Sequence, residues 1–253
     1  MIHPDWPAPE TVQALTTTRQ GGTSKRPWNS LNLADHVGDD PLTVQENRRY
    51  LRRVLSLPSE PVWLRQVHGD EVVETACHIK DPGGENSSSS LMEPPQADAS
   101  VSREPGRVSA VLTADCLPAL FCDRSGSCVA AAHAGWRGLA AGVLERTVQV
   151  MGVAPEELLV WLGPAIGPQV FEVGDEVHAA FTEQHAQADD AFAPRPQGRW
   201  LADLYQLARI RLSSVGVSAV YGGDRCTFTE ADHFYSYRRD GVTGRMATLI
   251  WLG

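Results

Sequence analysis

Apolar and polar positions alternate along the chain in two distinct rhythms. Short runs of mostly apolar residues, about four to eight long, are typical of buried strands. Such runs predict strands at residues 12–18, 61–67, 71–75, 108–114, 127–134, 157–163, 217–223 and 245–252. The segment ADCLPALFCDRSG (114–126) is expected to connect two of these strands.

Four other stretches have apolar positions spaced three and four residues apart, which predicts amphipathic helices. Asp40 is expected to cap a helix that starts at Pro41 and runs to about Leu55. A second helix is predicted from Arg137 to Met151, before Gly152, and two more over 174–185 and 201–216. The alternation of strands and helices predicts a single α/β domain over 1–253, a sandwich with a mixed sheet.

One segment differs in composition from the rest. Residues 78–96, HIKDPGGENSSSSLMEPPQ, are rich in glycine, serine and proline. Such a stretch lacks the apolar residues for a packed core, so we expect a surface loop inserted within the domain.

Composition excludes several functional classes. The 253 residues are 42% hydrophobic and carry a net charge of −9, which is typical of a globular protein and unfavourable for binding nucleic acid. No apolar run is long enough to span a membrane. The start, MIHPDWPAPE, lacks the basic and apolar regions of an export signal. The five cysteines include no C-x-x-C pair and are expected to be reduced thiols of a cytoplasmic protein.

Three residues with metal-binding or nucleophilic side chains follow or end apolar strands. His68 lies in QVHGD, Cys116 in TADCLP and His133 in AAHAGW. A strand end followed by a turn is a rigid place from which to present a side chain. Two interpretations remain open from the residues: a Cys-His catalytic pair, or a His₂Cys zinc site with an open fourth position. His36 and His233 are weaker candidates for a fourth ligand.

Two glycine-containing loops carry arginines suited to anions or sugar hydroxyls. Arg238 and Arg239 lie in HFYSYRRDGVTGR, and Arg19 lies in TTTRQGG. Guanidinium groups bind phosphate well, so Arg19 and Arg238 are candidates for phosphate binding, with His36 as a further substrate-binding candidate. Asp115, beside Cys116, is a candidate for orienting the site or for transferring a proton.

Six segments together resemble the laccase-domain family, whose members are described as multicopper polyphenol oxidases and as zinc-dependent purine nucleoside phosphorylases. The resemblance extends from about Thr16 to Leu252, and the segments are NLADHVGDD, QVHG, TADCLPALFCD, AAHAGWRGLAAGVLERTV, LGPAIGPQVFEVGDEV and FYSYRRDGVTGRMATLIWL.

The resemblance implies a metal-ligand triad of His68, Cys116 and His133 in an α/β sandwich. It also implies phosphorolysis of adenosine, inosine and methylthioadenosine to ribose 1-phosphate and free base, with deamination of adenosine. The Ser-rich segment at 78–96 departs from the family pattern and leaves the substrate preference open.

Zinc is the expected metal, with copper as the alternative. A four-copper oxidase needs a mononuclear site and a trinuclear cluster, whereas the chain has eight histidines and no His-Cys-His run. The expected partners are purine nucleosides and phosphate, and the sequence does not indicate an oligomeric state. Three rival functions remain: a copper-dependent phenol oxidase, a metal-free Cys-His hydrolase acting on cell-wall precursors, and a nucleoside-binding protein without turnover.

Overall fold

The apolar runs pair into three β-sheets in this computed structural model, which describes residues 1–75 and 93–253. The strands are β1 (Val12–Thr16), β2 (Val72–Glu74), β3 (Ala99–Ser102), β4 (Ser109–Thr113), β5 (Leu117–Asp123), β6 (Val129–Ala134), β7 (Leu158–Leu162), β8 (Glu172–Gly174), β9 (Phe192–Arg195), β10 (Arg199–Ala202), β11 (Ala219–Gly222) and β12 (Met246–Leu252). The helices are α1 (Pro41–Leu55), α2 (Trp136–Ala141), α3 (Val143–Met151), α4 (Asp175–Thr182), α5 (Leu204–Ser214) and α6 (Tyr237–Asp240).

The largest sheet has six strands in the order β11-β7-β5-β6-β3-β2. The outer pairs β11–β7 and β2–β3 are parallel, and the inner pairs are antiparallel. A second sheet, in the order β1-β12-β4, is antiparallel, and β8, β10 and β9 form a third, smaller one. The predicted α/β class with a mixed sheet is confirmed.

The six-stranded sheet is covered on both faces. In β5, Leu117, Ala119 and Phe121 pack against α2, α3 and α5, whereas Leu120 and Cys122 pack against the β1-β12-β4 sheet. The outer face of that second sheet packs against α1. The domain is therefore a sandwich of two sheets between helices, and β5 and β6 lie at its centre.

Two of the predicted helices show which helix boundaries can be located from the local sequence and which cannot. Asp40 caps α1, because its carboxylate accepts hydrogen bonds from the amides of Leu42 and Thr43. The helix predicted over Arg137–Met151 is divided in two at Gly142, whose φ of 104° is left-handed. Hydrophobic periodicity continues across this break and so cannot reveal it.

Two other predictions differ from the structure, and a third lies almost wholly outside the described residues. Residues 117–123 form the central strand β5 rather than a connection, and this strand is buried throughout. The sequence pattern does not predict it, because Pro118 and the flanking polar residues are typical of a loop. Residues 61–67 form no strand, and only Val62 and Arg65 make isolated bridges. The predicted loop 78–96 lies outside the described residues except for 93–96, where Gln96 pairs with Arg65. Within the described ranges, the helices are too short or too polar to cross a membrane.

Candidate metal centre

The chain crosses from one sheet of the sandwich to the other at residues 114–116. β4 ends at Thr113 in the three-stranded sheet, and β5 begins at Leu117 in the six-stranded sheet. Asp115 turns this corner with a left-handed φ of 91°. The corner brings Cys116 beside the end of β6, since Pro118 pairs with His133 across the β5–β6 ladder.

His68 approaches the same place from the turn before β2. Its own backbone is left-handed, with φ of 62°. The buried carboxylate of Asp98 holds this turn, accepting hydrogen bonds from the amides of Val67, His68 and Gly69 at 3.2, 2.9 and 2.8 Å. The same carboxylate accepts a hydrogen bond from Nδ1 of His133 at 2.8 Å.

The three predicted residues His68, Cys116 and His133 converge. One ligand atom from each lies within 4.8 Å of the other two, and the Cys116 Sγ atom is 3.9 Å from Nε2 of His68. The two imidazole rings meet edge to face, with centroids 4.8 Å apart. His133 is buried, Cys116 is half-buried and His68 is exposed, so the group opens to solvent on one side.

Cys116 differs electrostatically from its neighbours Cys122 and Cys128. Burial opposes ionisation of Cys116, yet the charges of His133 and His68 and their hydrogen bonds lower its pKa to about 6. Burial also opposes protonation of His133, yet Cys116 and Asp98 raise the pKa of His133 to about 9. Burial raises the pKa of Cys122 to about 12 and that of Cys128 to about 11. The two histidines therefore favour the thiolate form of Cys116, which is the form that binds metals and attacks electrophiles.

The group also has room for a metal ion. A Cβ atom built on Gly135, the residue that precedes α2, would lie 3.0 Å from the Cys116 Sγ atom and 3.1 Å from Cδ2 of His68. Glycine at this position therefore keeps the space beside the ligands open. A carboxylate bonded to the remote nitrogen of a histidine, as Asp98 is to His133, is a common arrangement around bound metals. The residues present thus fit a metal ion.

A cleft of about 390 Å³ opens over the three side chains. Its other lining residues come from the segment before His68, the end of β4 and the sheet corner, the loop before α1, and the segment before β12: His36, Gln66, Leu112, Thr113, Ala114, Tyr237 and Arg245. The guanidinium of Arg245 lies 5.9 Å from the Tyr237 ring centroid, and burial lowers the pKa of Arg245. An arginine remains charged in proteins, so this end of the cleft is cationic.

The other predicted binding residues lie in different places. His36 lines the cleft over the three side chains. Arg238 instead donates to the Glu172 carbonyl at 2.8 Å and lies over the Phe171 ring. Arg19 lines a separate cleft of about 610 Å³ and donates to the backbone carbonyls of residues 29 and 231.

Asp115 faces away from the cleft, toward the segment that follows β11. Its carboxylate accepts hydrogen bonds from the hydroxyl groups of Thr227 and Ser236 and from the Arg238 amide. Both carboxylate oxygens are engaged, so Asp115 ties this segment to the corner that presents Cys116.

Sequence reasoning missed Asp98, Arg245 and Gly135 at the site, and also Tyr237 on the wall of the cleft. Asp98 lies in QADAS and resembles an ordinary loop carboxylate, because its partners are distant in sequence. Arg245 lies in the same arginine-containing loop as Arg238; the sequence identifies this loop but not which of its arginines lines the cleft. Gly135, next to the AAHA strand, carries a usable signal, since a glycine beside a ligand-bearing strand often marks a close approach.

Known proteins resemble this chain over nearly its whole length. Residues 13–253 match the family model described as "Multi-copper polyphenol oxidoreductase laccase". Among curated relatives, "Purine nucleoside phosphorylase PA4543" of Pseudomonas aeruginosa is 58% identical over 99% of this chain and 98% of its own length. "Purine nucleoside phosphorylase YfiH" of Escherichia coli is 55% identical over 100% of this chain and 98% of its own length.

Solved structures share the fold over nearly the whole chain. Protein NMB0706 of Neisseria meningitidis superimposes with a TM-score of 0.91 at 50% identity, covering 99% of this chain and 98% of that one. YlmD of Geobacillus stearothermophilus superimposes with a TM-score of 0.87 at 33% identity, covering 96% of this chain and 92% of that one.

Proposed function

This chain belongs to the multi-copper polyphenol oxidoreductase laccase family, and from that premise we propose that it is a zinc-dependent purine nucleoside phosphorylase. The observation that carries the proposal is the cleft that joins His68, Cys116 and His133 to a cationic end, in a chain whose relatives bear that name. Its substrates are phosphate and adenosine, inosine or methylthioadenosine, and its products are ribose 1-phosphate and free base. We place the enzyme in the cytoplasm.

The proposed zinc site consists of two imidazoles and one thiolate, a donor set that zinc favours. His68, Cys116 and His133 would hold the zinc at the floor of the cleft, where the metal would supply a Lewis acid. Within the described part of the chain, His68, Cys116 and His133 are the one group of at least three side chains spaced to hold a metal. This supports a single-metal site over the several copper centres of a phenol oxidase.

We assign the remaining lining residues to the two substrates, phosphate and the nucleoside. Arg245 holds phosphate beside the ribose, where the anion stabilises the positive charge that develops as the glycosidic bond breaks. His36 lies on the same cleft and serves as a second polar contact. The exposed ring of Tyr237 offers an apolar face on which a purine base can stack.

Arg19, Arg238 and Asp115 act on the site indirectly in this proposal. Arg19 and Arg238, unlike Arg245, are not among the residues that line this cleft, and they donate to backbone carbonyls of neighbouring loops. Asp115 maintains the corner before Cys116, which we favour over proton transfer because both its oxygens already accept hydrogen bonds.

Deamination of adenosine is proposed at the same cleft, since both reactions need the same bound purine nucleoside. An assay without phosphate distinguishes the two reactions. Phosphorolysis should stop, whereas release of ammonia from adenosine should continue.

The test is an assay of protein purified without added metal, after elemental analysis. We expect about one zinc per chain. Inosine with phosphate should then give ribose 1-phosphate and hypoxanthine, and Cys116→Ala should abolish both the zinc and the product. Stoichiometric copper with oxygen uptake on phenols would contradict the proposal, as would nucleoside binding without turnover.

The lowered pKa of Cys116 favours one second candidate, a metal-free hydrolase with Cys116 as nucleophile and a neighbouring histidine as base. Its substrate class would be cell-wall precursors. Alkylation of Cys116 in metal-free protein separates the two: a hydrolase would be active without metal and lose that activity on alkylation. The phosphorylase would be inactive before alkylation and regain activity with zinc.

A further inference from the structure

The Asp98 carboxylate lies between the two histidines of the site and contacts both. Oδ1 lies 2.8 Å from Nδ1 of His133 and 2.9 Å from the His68 amide nitrogen, and Oδ2 accepts from the amides of Val67 and Gly69. The Asp98 carbonyl also accepts the His133 amide at 2.7 Å. Asp98 is fully buried. Among the described residues, its carboxylate therefore bonds to the two segments that carry the histidines.

We propose that Asp98 is the positioning residue that sets both histidine ligands at once, and thereby determines the metal affinity of the site. The proposal rests on the metal site of the proposed function. It adds a role for a residue that itself touches neither the metal position nor the cleft.

The first part of this role concerns the proton on His133. A carboxylate accepts hydrogen bonds and does not donate them, so Nδ1 of His133 carries a proton both in the charged ring and in the neutral ring that binds a metal. In the neutral ring Nε2 therefore has a free lone pair, and Nε2 lies beside the same space next to Gly135 that Cys116 and His68 adjoin. The opposite tautomer would place a proton where a metal must bind.

The second part concerns the backbone of His68. Its left-handed φ of 62° is unfavourable for a residue with a Cβ atom, and a surrounding structure must enforce it. Three consecutive amides that point at one buried carboxylate supply that constraint. Without it, His68 is free to relax, and its ring leaves Cys116.

An amide cannot replace this carboxylate, although it has the same shape. Four donors converge on two oxygens, and asparagine has only one oxygen. If its NH₂ group takes the place of Oδ1, it faces the His133 proton and the His68 amide. If the NH₂ group takes the place of Oδ2, it faces the amides of Val67 and Gly69. Either orientation sets donor against donor and disturbs one of the two ligands.

The experiment compares Asp98→Asn with Asp123→Asn by chelator competition for zinc. Asp123 is a matched control, since it is also buried and accepts the Ser127 and Cys128 amides, but at the far end of the β5–β6 hairpin. We expect Asp98→Asn to bind zinc about 10–100-fold more weakly, and Asp123→Asn to keep the native affinity despite a comparable loss of stability. A folded Asp98→Asn with native affinity would overturn the proposal, as would equal losses in both variants.

A measurement on the unaltered protein covers the case in which Asp98→Asn does not fold. Long-range ¹H–¹⁵N NMR spectra of the zinc-loaded protein should place the His133 proton on Nδ1, and a proton on Nε2 would contradict the proposal. An unaltered protein that takes up no zinc would contradict the proposed function instead, while the Nδ1 hydrogen bond to Asp98 can still be examined in the metal-free protein.

Discussion

Adding one methyl group at Gly135 should separate metal binding from folding. The backbone there, with φ of −61° and ψ of 157°, suits any residue, so Gly135→Ala introduces no backbone strain. A Gly→Ala change at such a position usually stabilises by about 0.4–1 kcal/mol, because the unfolded chain loses freedom. The metal-free variant should therefore unfold close to the native temperature.

The methyl group does collide with the ligands. Its carbon would lie 3.0 Å from the Cys116 Sγ atom and 3.1 Å from Cδ2 of His68, whereas non-bonded heavy atoms prefer about 3.5–4.0 Å. At least one ligand must withdraw by roughly 0.5 Å. Metal–ligand distances tolerate only about 0.2 Å. We expect zinc affinity to fall at least about tenfold, equivalent to about 1.4 kcal/mol.

Chelator competition measures the affinity, and thermal unfolding with and without zinc measures the linked stability. Gly69→Ala is the matched control, because Gly69 adjoins His68 and a Cβ there would meet nothing closer than 3.7 Å. Native zinc affinity in Gly135→Ala would refute the reasoning, and so would an equal loss in Gly69→Ala.

Three further predictions follow from the site and from its supporting hairpin. Cys116→Ala should lose zinc, phosphorolysis and deamination together. The buried control Cys122→Ala should keep zinc and both reactions at a stability cost of about 1–2 kcal/mol, and the reverse pattern would contradict the assignment of Cys116 as a ligand. Arg245→Gln should raise KM for phosphate at least about tenfold while zinc content stays native, and an unchanged KM would exclude Arg245 as the phosphate ligand. Burial opposes ionisation of Asp123, but hydrogen bonds from three neighbouring residues hold its pKa below the usual value. The ionised carboxylate therefore stabilises the folded protein at neutral pH, and this contribution is lost as the pH falls below about 4. Asp123→Asn should remove about 1–3 kcal/mol at pH 7 and flatten the acid limb of the melting curve, whereas the exposed Asp190→Asn should leave that limb unchanged.

Local signals located much of this fold. Asp40 and Pro41 marked the start of α1 correctly, since a cap acts within one turn of its own helix. The sequence pattern predicts a connection at residues 117–123, because burial on both faces removes the alternation that identifies most strands. The partners of β5 come from distant parts of the chain, and no local pattern reports them.

The same division applies to the candidate site. His68, Cys116 and His133 could be selected because each is a reactive side chain beside an apolar run. Asp98 could not be selected, because its role arises only when the 66–69 turn, β3 and β6 are packed together. Arg245 posed a similar problem, since its loop contains three arginines and only the fold decides which of them faces the cleft.

The strand order β1-β12-β4 has a consequence for biosynthesis. β12 lies between two strands that the ribosome completes much earlier, and it pairs with both along its length. Until translation passes Met246, β1 and β4 each lack the partner that covers their backbone hydrogen-bonding groups. Unpaired strand edges attract other chains. The nascent protein therefore passes through a long stage in which β1 and β4 have been synthesised but the three-stranded sheet lacks its central strand. A chain that ends before Met246 lacks β12, so we expect it to depend on chaperones and to be unable to complete its fold.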